Sequence, residues 1–347
     1  MVGGIGGTAG IALDLGLIVA AAAGLWLGSG LLVEGAVGLA DQLGLSEAVI
    51  GLTVVAIGTS APELVVTVDA AVTGQGNIAV ANVVGSNVFN LGFVLGGLAL
   101  YGGLPTSRAL VRRDGPVLVA ASLLVTWFLI DGQLVSWEGG ALVALWLGYV
   151  GTLFMRQRDR SAGNATADAP LVDAADIDIA VEGVVPDIPG DIDEWEDVEE
   201  WPLWKMVGAV LVGLVLLLGG ARLLVGSASS IARAAGIADW LIGLTVVAAG
   251  TSMPEFATAA AAAKRGSHGV SAGTLVGSDL SNLLLALGVA AVIEPLVIGV
   301  AVLPNFGPLV LTVVLVVALA LTEERLSRLE GALLVAVAAV RWVLPLF

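Results

Sequence analysis

Apolar residues arrive along this chain in long blocks, not in the alternation of half-buried strands. Runs of about 20 residues, enough to cross a bilayer, recur at roughly 11–40, 47–73, 77–101, 115–131, 137–155, 203–234, 239–263, 269–292, 301–322 and 329–346. The pattern predicts an all-α membrane protein with ten transmembrane helices. Composition agrees, with 58% hydrophobic and 13% charged residues against about 25% charged in soluble domains. No basic stretch precedes the first run, so no cleaved signal peptide is expected. The absence of cysteine excludes disulfides, thiolate metal sites and cysteine nucleophiles.

Inside the second and seventh runs the apolar pattern breaks. "GLTVVAIGTSAPELVV" at 51–66 and "GLTVVAAGTSMPEFAT" at 243–258 each set Gly, Thr, Ser, Pro and Glu in mid-run. Gly58 and Gly250 are 192 residues apart, and that single offset laid over 51–97 gives about 21 identities in 47 positions without a gap, a duplication by any measure. It also sets "VGSNVFNL" at 84–91 against "VGSDLSNL" at 276–283. Three parts follow: an N-terminal half over 1–155 with its repeat at about 51–97, a connecting segment over 156–202, and a C-terminal half over 203–347 with its repeat at about 243–289.

Five runs precede the connecting segment and five follow it. An odd number per half makes the second copy enter the membrane from the opposite side, so the repeats are expected to be inverted. Charge tests this. Alternate connections collect Arg108, Arg112, Arg113, Arg156, Arg158, Arg160, Lys205, Lys264, Arg265, Arg325 and Arg328 on one side. The other side holds Arg233 and Arg341 beside Asp131, Glu138, Asp239 and Glu294. By the positive-inside rule the connecting segment is cytoplasmic and both termini are outside. Residues 161–200 carry thirteen acids and no base, and setting them aside turns a net charge of −16 into −3. Without EF-hand spacing, that stretch reads as a solvated linker and not as a calcium sensor.

Glu63 and Glu255 fall near the middle of their runs. An ionised side chain at that depth costs at least about 2.5–3.5 kcal/mol, and no Lys or Arg lies at comparable depth on these spans to pair with it. A mobile cation is the remaining partner: one Ca²⁺ cancels two carboxylates, and Na⁺ ions cancel them piecewise. Pro62 and Pro254 lack an N–H and crowd the carbonyls of Gly58 and Gly250, so each span is expected to bend or unwind there. Main-chain oxygens around Ala56–Thr59 and Ala248–Thr251 then become available, as at the broken helices of transporters. Thr59, Ser60 and Glu63 share one groove by spacing, Ser86 and Asn90 one face of the third span, and Ser278 and Asn282 one face of the eighth. The set is all oxygen, which suits Ca²⁺ and not zinc or copper. Taken singly, a hydroxyl here is as readily helix-packing glue; two glutamates at matched depth behind matched prolines are not.

"GTSAPE…GSNVFN" and "GTSMPE…GSDLSN" resemble the two alpha-repeats of the cation/Ca²⁺ antiporter superfamily, specifically the prokaryotic sodium/calcium exchangers. The resemblance is tight over both repeats and extends, in span count, to nearly the whole chain. It implies four central sites, one for Ca²⁺ and the others for Na⁺, worked by alternating access. Glu63 and Glu255 become the shared carboxylates. Thr59, Thr251, Ala56 and Ala248 lend carbonyls, Ser60, Ser252, Ser86 and Ser278 lend hydroxyls, and Asn90 and Asn282 border the middle site. The first and sixth spans, both Gly-rich, become the pair that slides over the other eight. Two departures stand out: Asn282 where some relatives carry Asp, and Asp279 where Asn usually follows the motif Ser. Asp279 lies one turn from Asn282 and is a possible accessory ligand, with a polar neighbour as the other expectation.

The function expected is Na⁺/Ca²⁺ antiport across the cell membrane. Ca²⁺/H⁺ exchange, with the glutamates taking up protons, and a K⁺-dependent form are the alternatives; the multi-oxygen ring favours Na⁺, because a proton needs no such cage. A hydrolase lacks a base at depth, since the sole histidine, His268, lies in a loop, and a passive channel fits broken inverted repeats poorly. Lipid, Ca²⁺ and Na⁺ are the partners implied. No resident cofactor and no nucleic acid are called for, and no oligomeric state is specified.

Overall fold

In the computed structural model, residues 8–163, 201–236, 246, 248–299, 306–323 and 325–343 are described. The acidic stretch 164–200 and the start of the seventh run, 239–245, lie outside the described residues. The apolar runs form helices, in chain order α1 (Thr8–Gln42), α2 in two rods (α2a, Glu47–Thr59, and α2b, Ala61–Val72), α3 (Gly76–Gly102), α4 (Leu110–Asp131) and α5 (Ser136–Gly163). The second half gives α6 (Leu203–Ala234), α7a (Ala248–Thr251) with α7b (Met253–Lys264), α8 (His268–Ile293), α9 (Phe306–Glu323) and α10 (Arg328–Val343). Six of these, α1, α3, α4, α5, α6 and α8, are long and apolar enough to cross a membrane, and the bent α2 makes a seventh. This is a multi-pass membrane protein.

Helix α4 begins at Leu110, five residues before its apolar run, although this turn carries Arg112, Arg113 and Asp114. The charges are internally answered. Arg113 Nε and Nη2 donate to the two oxygens of buried Asp114 at 2.6 and 2.9 Å, and Tyr149 of α5 donates to the same carboxylate at 2.9 Å. A paired carboxylate no longer opposes helix formation in a dry place.

The connections gather at two ends. At one, β1 (Leu104–Pro105, between α3 and α4) pairs antiparallel with β4 (Arg325–Leu326, between α9 and α10). At the other, β2 (Gln133–Leu134, between α4 and α5) pairs with β3 (Leu296–Val297, between α8 and α9). Gly103 and Gly132, at φ 77° and 83°, turn the chain into β1 and β2, a conformation that costs glycine nothing. The register repeats across the duplication: Leu104↔Leu326 and Leu134↔Leu296 are one pair with its members exchanged by 192 residues, as are Pro105↔Arg325 and Gln133↔Val297.

Buried apolar residues form two clusters. The larger is built on α3 and α8 and includes Val83, Leu91, Leu118, Leu142, Leu283, Leu287, Leu309 and Leu334. The smaller ties α1 and α6 to α2a and α7b through Leu32, Val33, Ile50, Val55, Val210, Leu217 and Ala262. Within it the backbones of α1 and α6 touch: a Cβ on Gly213 would sit 2.7 Å from the Gly28 carbonyl oxygen and from Leu32 N, and one on Gly28 would sit 2.8 Å from the Gly213 carbonyl oxygen. Small residues at such crossings let membrane helices gain dispersion contact that lipid cannot supply. The outward faces stay apolar, with Val19 and Val215 each 70% exposed. Trp127 and Trp137 near one end and Trp204 near the other project outward, as interfacial tryptophans do.

Gly213→Val is expected to lower the melting temperature in detergent by several degrees, since overpacking costs about 1–3 kcal/mol. Gly219→Ala, with no atom within 4 Å of the new Cβ, should leave it unchanged; equal effects from the two would refute the close crossing.

Candidate functional site

The two proline breaks place the site. Ser60 caps α2b, Pro62 occupies its first turn, where a missing N–H costs nothing, and Glu63 follows in that turn;. The rods of α2 meet there at 49°. Ser252, Pro254 and Glu255 repeat the arrangement at the start of α7b. A carboxylate in a helix's first turn is favoured by the unpaired N–H groups and the macrodipole. The break is a bend and not an unwinding: α2a stays helical to Thr59, with Ser60 N donating to the Ala56 carbonyl at 3.0 Å. Pro62 leaves the Gly58 carbonyl without its usual i+4 donor.

The halves interlock through their carboxylates. Ser60 Oγ donates to Glu255 Oε1 at 3.0 Å, and Ser252 Oγ donates to Glu63 Oε1 at 3.3 Å. These are one bond made twice, each serine serving the other half's glutamate. Thr59 and Thr251 likewise interact with Glu255 and Glu63. Ser278 Oγ lies 3.3 Å from Glu255 Oε1 and 3.4 Å from both the Ala56 carbonyl oxygen and the Thr59 hydroxyl. Close packing of α8 on α2a allows this, because Gly277 lies against Leu52 and Ala56 with no room for a Cβ.

A second set of polar contacts joins α3 to α8. Asn90 Nδ2 donates to Asp279 Oδ1 at 3.1 Å, Asn282 Nδ2 donates to Asn87 Oδ1 at 3.2 Å, and Asn87 Nδ2 donates to the Asp279 carbonyl at 3.1 Å. Asn90 and Asn282 sit in π-helical turns, Phe89–Leu95 and Ser281–Ala286, which occupy matching places in the two halves. Such bulges turn a side chain away from the face that α-helical spacing gives it and are frequent at functional sites. A small cleft lined by Ile57, Ser60, Leu64, Ser281, Asn282, Leu285 and Ala286 reaches this region.

The structure therefore gathers Glu63, Glu255, Thr59, Ser60, Thr251, Ser252 and Ser278 into one cluster, and Asn90, Asn282 and Asp279 into the adjoining one. Ser86 is fully buried on α3, and its hydroxyl finds no partner. Of Ala248, only its place at the start of α7a is described. Sequence spacing missed Asn87 and the π turns; the 192-residue offset pairs Asn87 with Asp279 and carried the signal for the first. His268, expected in a loop, is half-buried at the first position of α8.

Besides the Ser86 hydroxyl, five acceptors of the site remain without a donor: Glu63 Oε2, Glu255 Oε2, Asp279 Oδ2, Asn90 Oδ1 and Asn282 Oδ1, in residues with no solvent exposure. Among the described residues no Lys or Arg forms an ion pair with either glutamate. Buried carboxylates so placed are neutralised by a proton or by a cation, and the ligands on offer are hard oxygens suited to Na⁺ or Ca²⁺ and to no soft metal.

A profile of the family described as sodium/calcium exchanger protein matches residues 13–155 and 205–346. The chain belongs to that family. It is 33% identical over 300 residues to the candidate antiporter CaxA of Alkalimonas amylolytica, covering 85% of this chain and 87% of that protein. To the sodium/calcium exchanger MaX1 of Methanosarcina acetivorans it is 28% identical, over 85% and 88% of the two chains. Among solved structures, the sodium-calcium exchanger NCX_Mj soaked with Na⁺ and Ca²⁺ superposes with a TM-score of 0.75 at 26% identity, over 94% of this chain and 97% of that one. The chain is thus a prokaryotic-type cation/Ca²⁺ antiporter, a transporter and not an enzyme, from a family whose cargo is Na⁺ and Ca²⁺.

Ser60→Ala and Ser252→Ala each leave a buried carboxylate oxygen short of a donor, which costs about 1–3 kcal/mol. Both are expected to lower the ion-free melting temperature, Ser252→Ala the more, because Glu255 Oε1 keeps Ser278 as a second donor while Ser86 gives Glu63 none. Ser86→Ala, losing no bond, should not; a large ion-free effect from it would contradict the geometry.

Proposed function

We propose that this exchanger moves Ca²⁺ against Na⁺ by alternating access at one site shared between two inverted five-helix halves. The observation that carries this is the crossed pair of serine–glutamate bonds, which brings two carboxylates from opposite halves into a buried cluster where neither pairs with a basic residue among those described. Charge −2 is cancelled by one Ca²⁺ or by two Na⁺ and overshot by both together, and that exclusivity is what antiport requires. Glu63 and Glu255 are the shared ligands. Ser60, Ser252, Ser86 and Ser278 supply hydroxyls, Thr59, Thr251, Ala56 and Ala248 carbonyls, and Asn90 and Asn282 amide oxygens. A ring of that many neutral oxygens is needed to replace the hydration of Na⁺ and superfluous for a proton, which favours Na⁺ coupling.

Ten spans in inverted halves, divided at 155 and 203, are supported by the strand pairs. The turn between α3 and α4 pairs with the one between α9 and α10, not with its own equivalent between α8 and α9. Parallel halves would put equivalent turns at the same end. Arg112, Arg113, Lys264, Arg265, Arg325 and Arg328 then share one end and Asp131, Glu138 and Glu294 the other, which puts the acidic linker in the cytoplasm and both termini outside;. The smaller apolar cluster, in which α1 and α6 meet α2a and α7b through non-directional contacts, suits a pair of helices that moves over the remainder.

The test is ⁴⁵Ca²⁺ uptake by the purified chain in liposomes under an outward Na⁺ gradient. Uptake should need Na⁺ inside and survive a protonophore. Glu63→Gln and Glu255→Gln should each lower it by about 100-fold or more, as removing one member of a buried ion pair costs about 3–5 kcal/mol. Uptake driven by a pH difference alone, or near-normal rates in either variant, would overturn the reading.

A further inference from the structure

An ion pair ties α1 to the remainder of the bundle, and the duplication does not repeat it. Arg265 closes α7b, the rod whose first turn carries Glu255. Its Nη2 lies 2.8 Å from Glu34 Oε1, and its Nη1 donates to the Gly30 carbonyl at 2.8 Å. Gly30 and Glu34 are one turn apart on α1, and a Cβ on Gly30 would sit 3.3 Å from Nη2, so the guanidinium seats against the helix itself. Glu34 is only 6% exposed. The 192-residue offset makes Gly226 the equivalent of Glu34 and Thr73 that of Arg265. Gly226 has no side chain to pair, and the Thr73 hydroxyl donates to the Asp69 carbonyl of its own rod at 2.8 Å. The cleft at the glutamate cluster lies toward the other end of the bundle from Arg265. Leu64 is past Glu63 on the way to Val72, and Leu285 and Ala286 are past Ser278 on the way to Ile293. Gly76, just beyond α2b, abuts Val297 of β3 at that far end.

Resting on the proposal that α1 and α6 slide, we infer that Arg265 is a latch: its bonds to Glu34 and Gly30 hold the bundle shut at their own end and favour the orientation in which the glutamate cluster is reached from the other. A two-state equilibrium with a tie in one state and no equivalent tie in its mirror image is biased toward the tied state. Lys205 keeps the latch reversible. It stands at the start of α6, acts on Glu34 as a second cation, and holds its Nζ 3.9 Å from the centroid of the Trp201 ring. Gly35, next to Glu34, meets the backbone of Met206, next to Lys205: a Cβ there would sit 2.6 Å from the Met206 carbonyl oxygen. Helices in such contact travel together, so Lys205 stays beside Glu34 when Arg265 is left behind. Opening is then costly but reachable, since the buried carboxylate is not left bare. The latched end is the basic one, which the positive-inside assignment makes cytoplasmic, so the ion-free chain rests facing outward.

The chain has no cysteine, so a single introduced thiol reads the opening of one end. Leu285→Cys places it in the cleft, and Phe93→Cys places it at the twofold-equivalent position toward the latched end. Purified full-length protein in detergent, in choline without Na⁺ or Ca²⁺, is labelled with a charged maleimide. Leu285→Cys should react faster than Phe93→Cys. Adding Arg265→Gln or Glu34→Gln, each of which removes the pair, should slow labelling of Leu285→Cys and speed that of Phe93→Cys by about threefold or more. The two variants should agree in labelling although not in stability, because Arg265→Gln leaves a buried carboxylate short of its partner and should melt lower than Glu34→Gln. Arg265→Lys, which keeps the charge and loses the fork, should fall between native and Arg265→Gln. A bond that only stabilises the fold would lower melting temperatures and leave labelling alone. That result, or a change of the same sign at both thiols, would overturn the latch. If Phe93→Cys is unreactive in every background, with and without ions, alternating access falls and the latch with it; if both thiols react but at native rates in both variants, the latch alone falls.

Discussion

Two carboxylates sit fully buried, with no ion pair to a basic side chain among the described residues, and each leans on a serine from the other half. Everything around Glu63 and Glu255 follows from keeping that arrangement affordable. An ionised group in hydrocarbon is tolerated only when dipoles or an ion answer it. The helix starts at Ala61 and Met253 supply N–H dipoles, and the crossed serines supply the nearest hydroxyls. Each glutamate takes a donor from the other copy, and Glu255 takes a second from Ser278 of its own half. The close approach of α8 to α2a at Gly277 is the steric precondition: a Cβ there would sit 2.7 Å from Leu52 and Ala56, and the backbones could not come near enough for Ser278 to touch both Glu255 and the Ala56 carbonyl.

The correspondence between halves is not perfect, and its failures are informative. Ser278 reaches Glu255, but Ser86, its equivalent, reaches nothing. The Val-Gly before the two serines matches, but the residues after them differ, Asn87 against Asp279 and Phe89 against Ser281, so sequence and conformation both separate the two positions. Under the proposed mechanism the halves exchange environments when access switches, so any single conformation must be asymmetric at chemically equivalent positions. Asp279 against Asn87 is a different kind of asymmetry, written into the chain, and it persists in both conformations.

Much of this was legible in the sequence. The two motifs are identical enough to align without a gap, and lipid imposes a length that apolar runs report directly. Glu63, Glu255 and their serines were found because proline and carboxylate in mid-run have no structural use. What escaped was local geometry. The π turns at Phe89–Leu95 and Ser281–Ala286 arise from packing against other helices, and no periodicity in an almost wholly apolar segment records them. Asn87 read as one more polar residue in a small-residue stretch, because i,i+3 spacing from Asn90 assumes an α-helix that ends at Val88. The early start of α4 was hidden for the opposite reason: a charged turn reads as loop until Tyr149, 35 residues away, is seen to share the carboxylate of Asp114.

Under the proposed mechanism α1 and α6 slide over the remainder, and the apolar part of their contact suits that. Apolar contacts such as Leu32 and Val33 against Ile50 and Val55 can be traded for equivalent ones at little cost, because dispersion has no direction. The contacts of Arg265 are different. It pairs with Glu34 at 2.8 Å and donates to the Gly30 carbonyl at 2.8 Å, both on α1. Its twofold equivalent is Thr73, and that of Glu34 is Gly226, so no such tie exists at the other end. A translation of α1 along α7b by one turn, about 5.4 Å, is longer than either bond can stretch. Any motion of α1 on that scale must break both at once, and the largely buried carboxylate of Glu34 makes the broken state costly;.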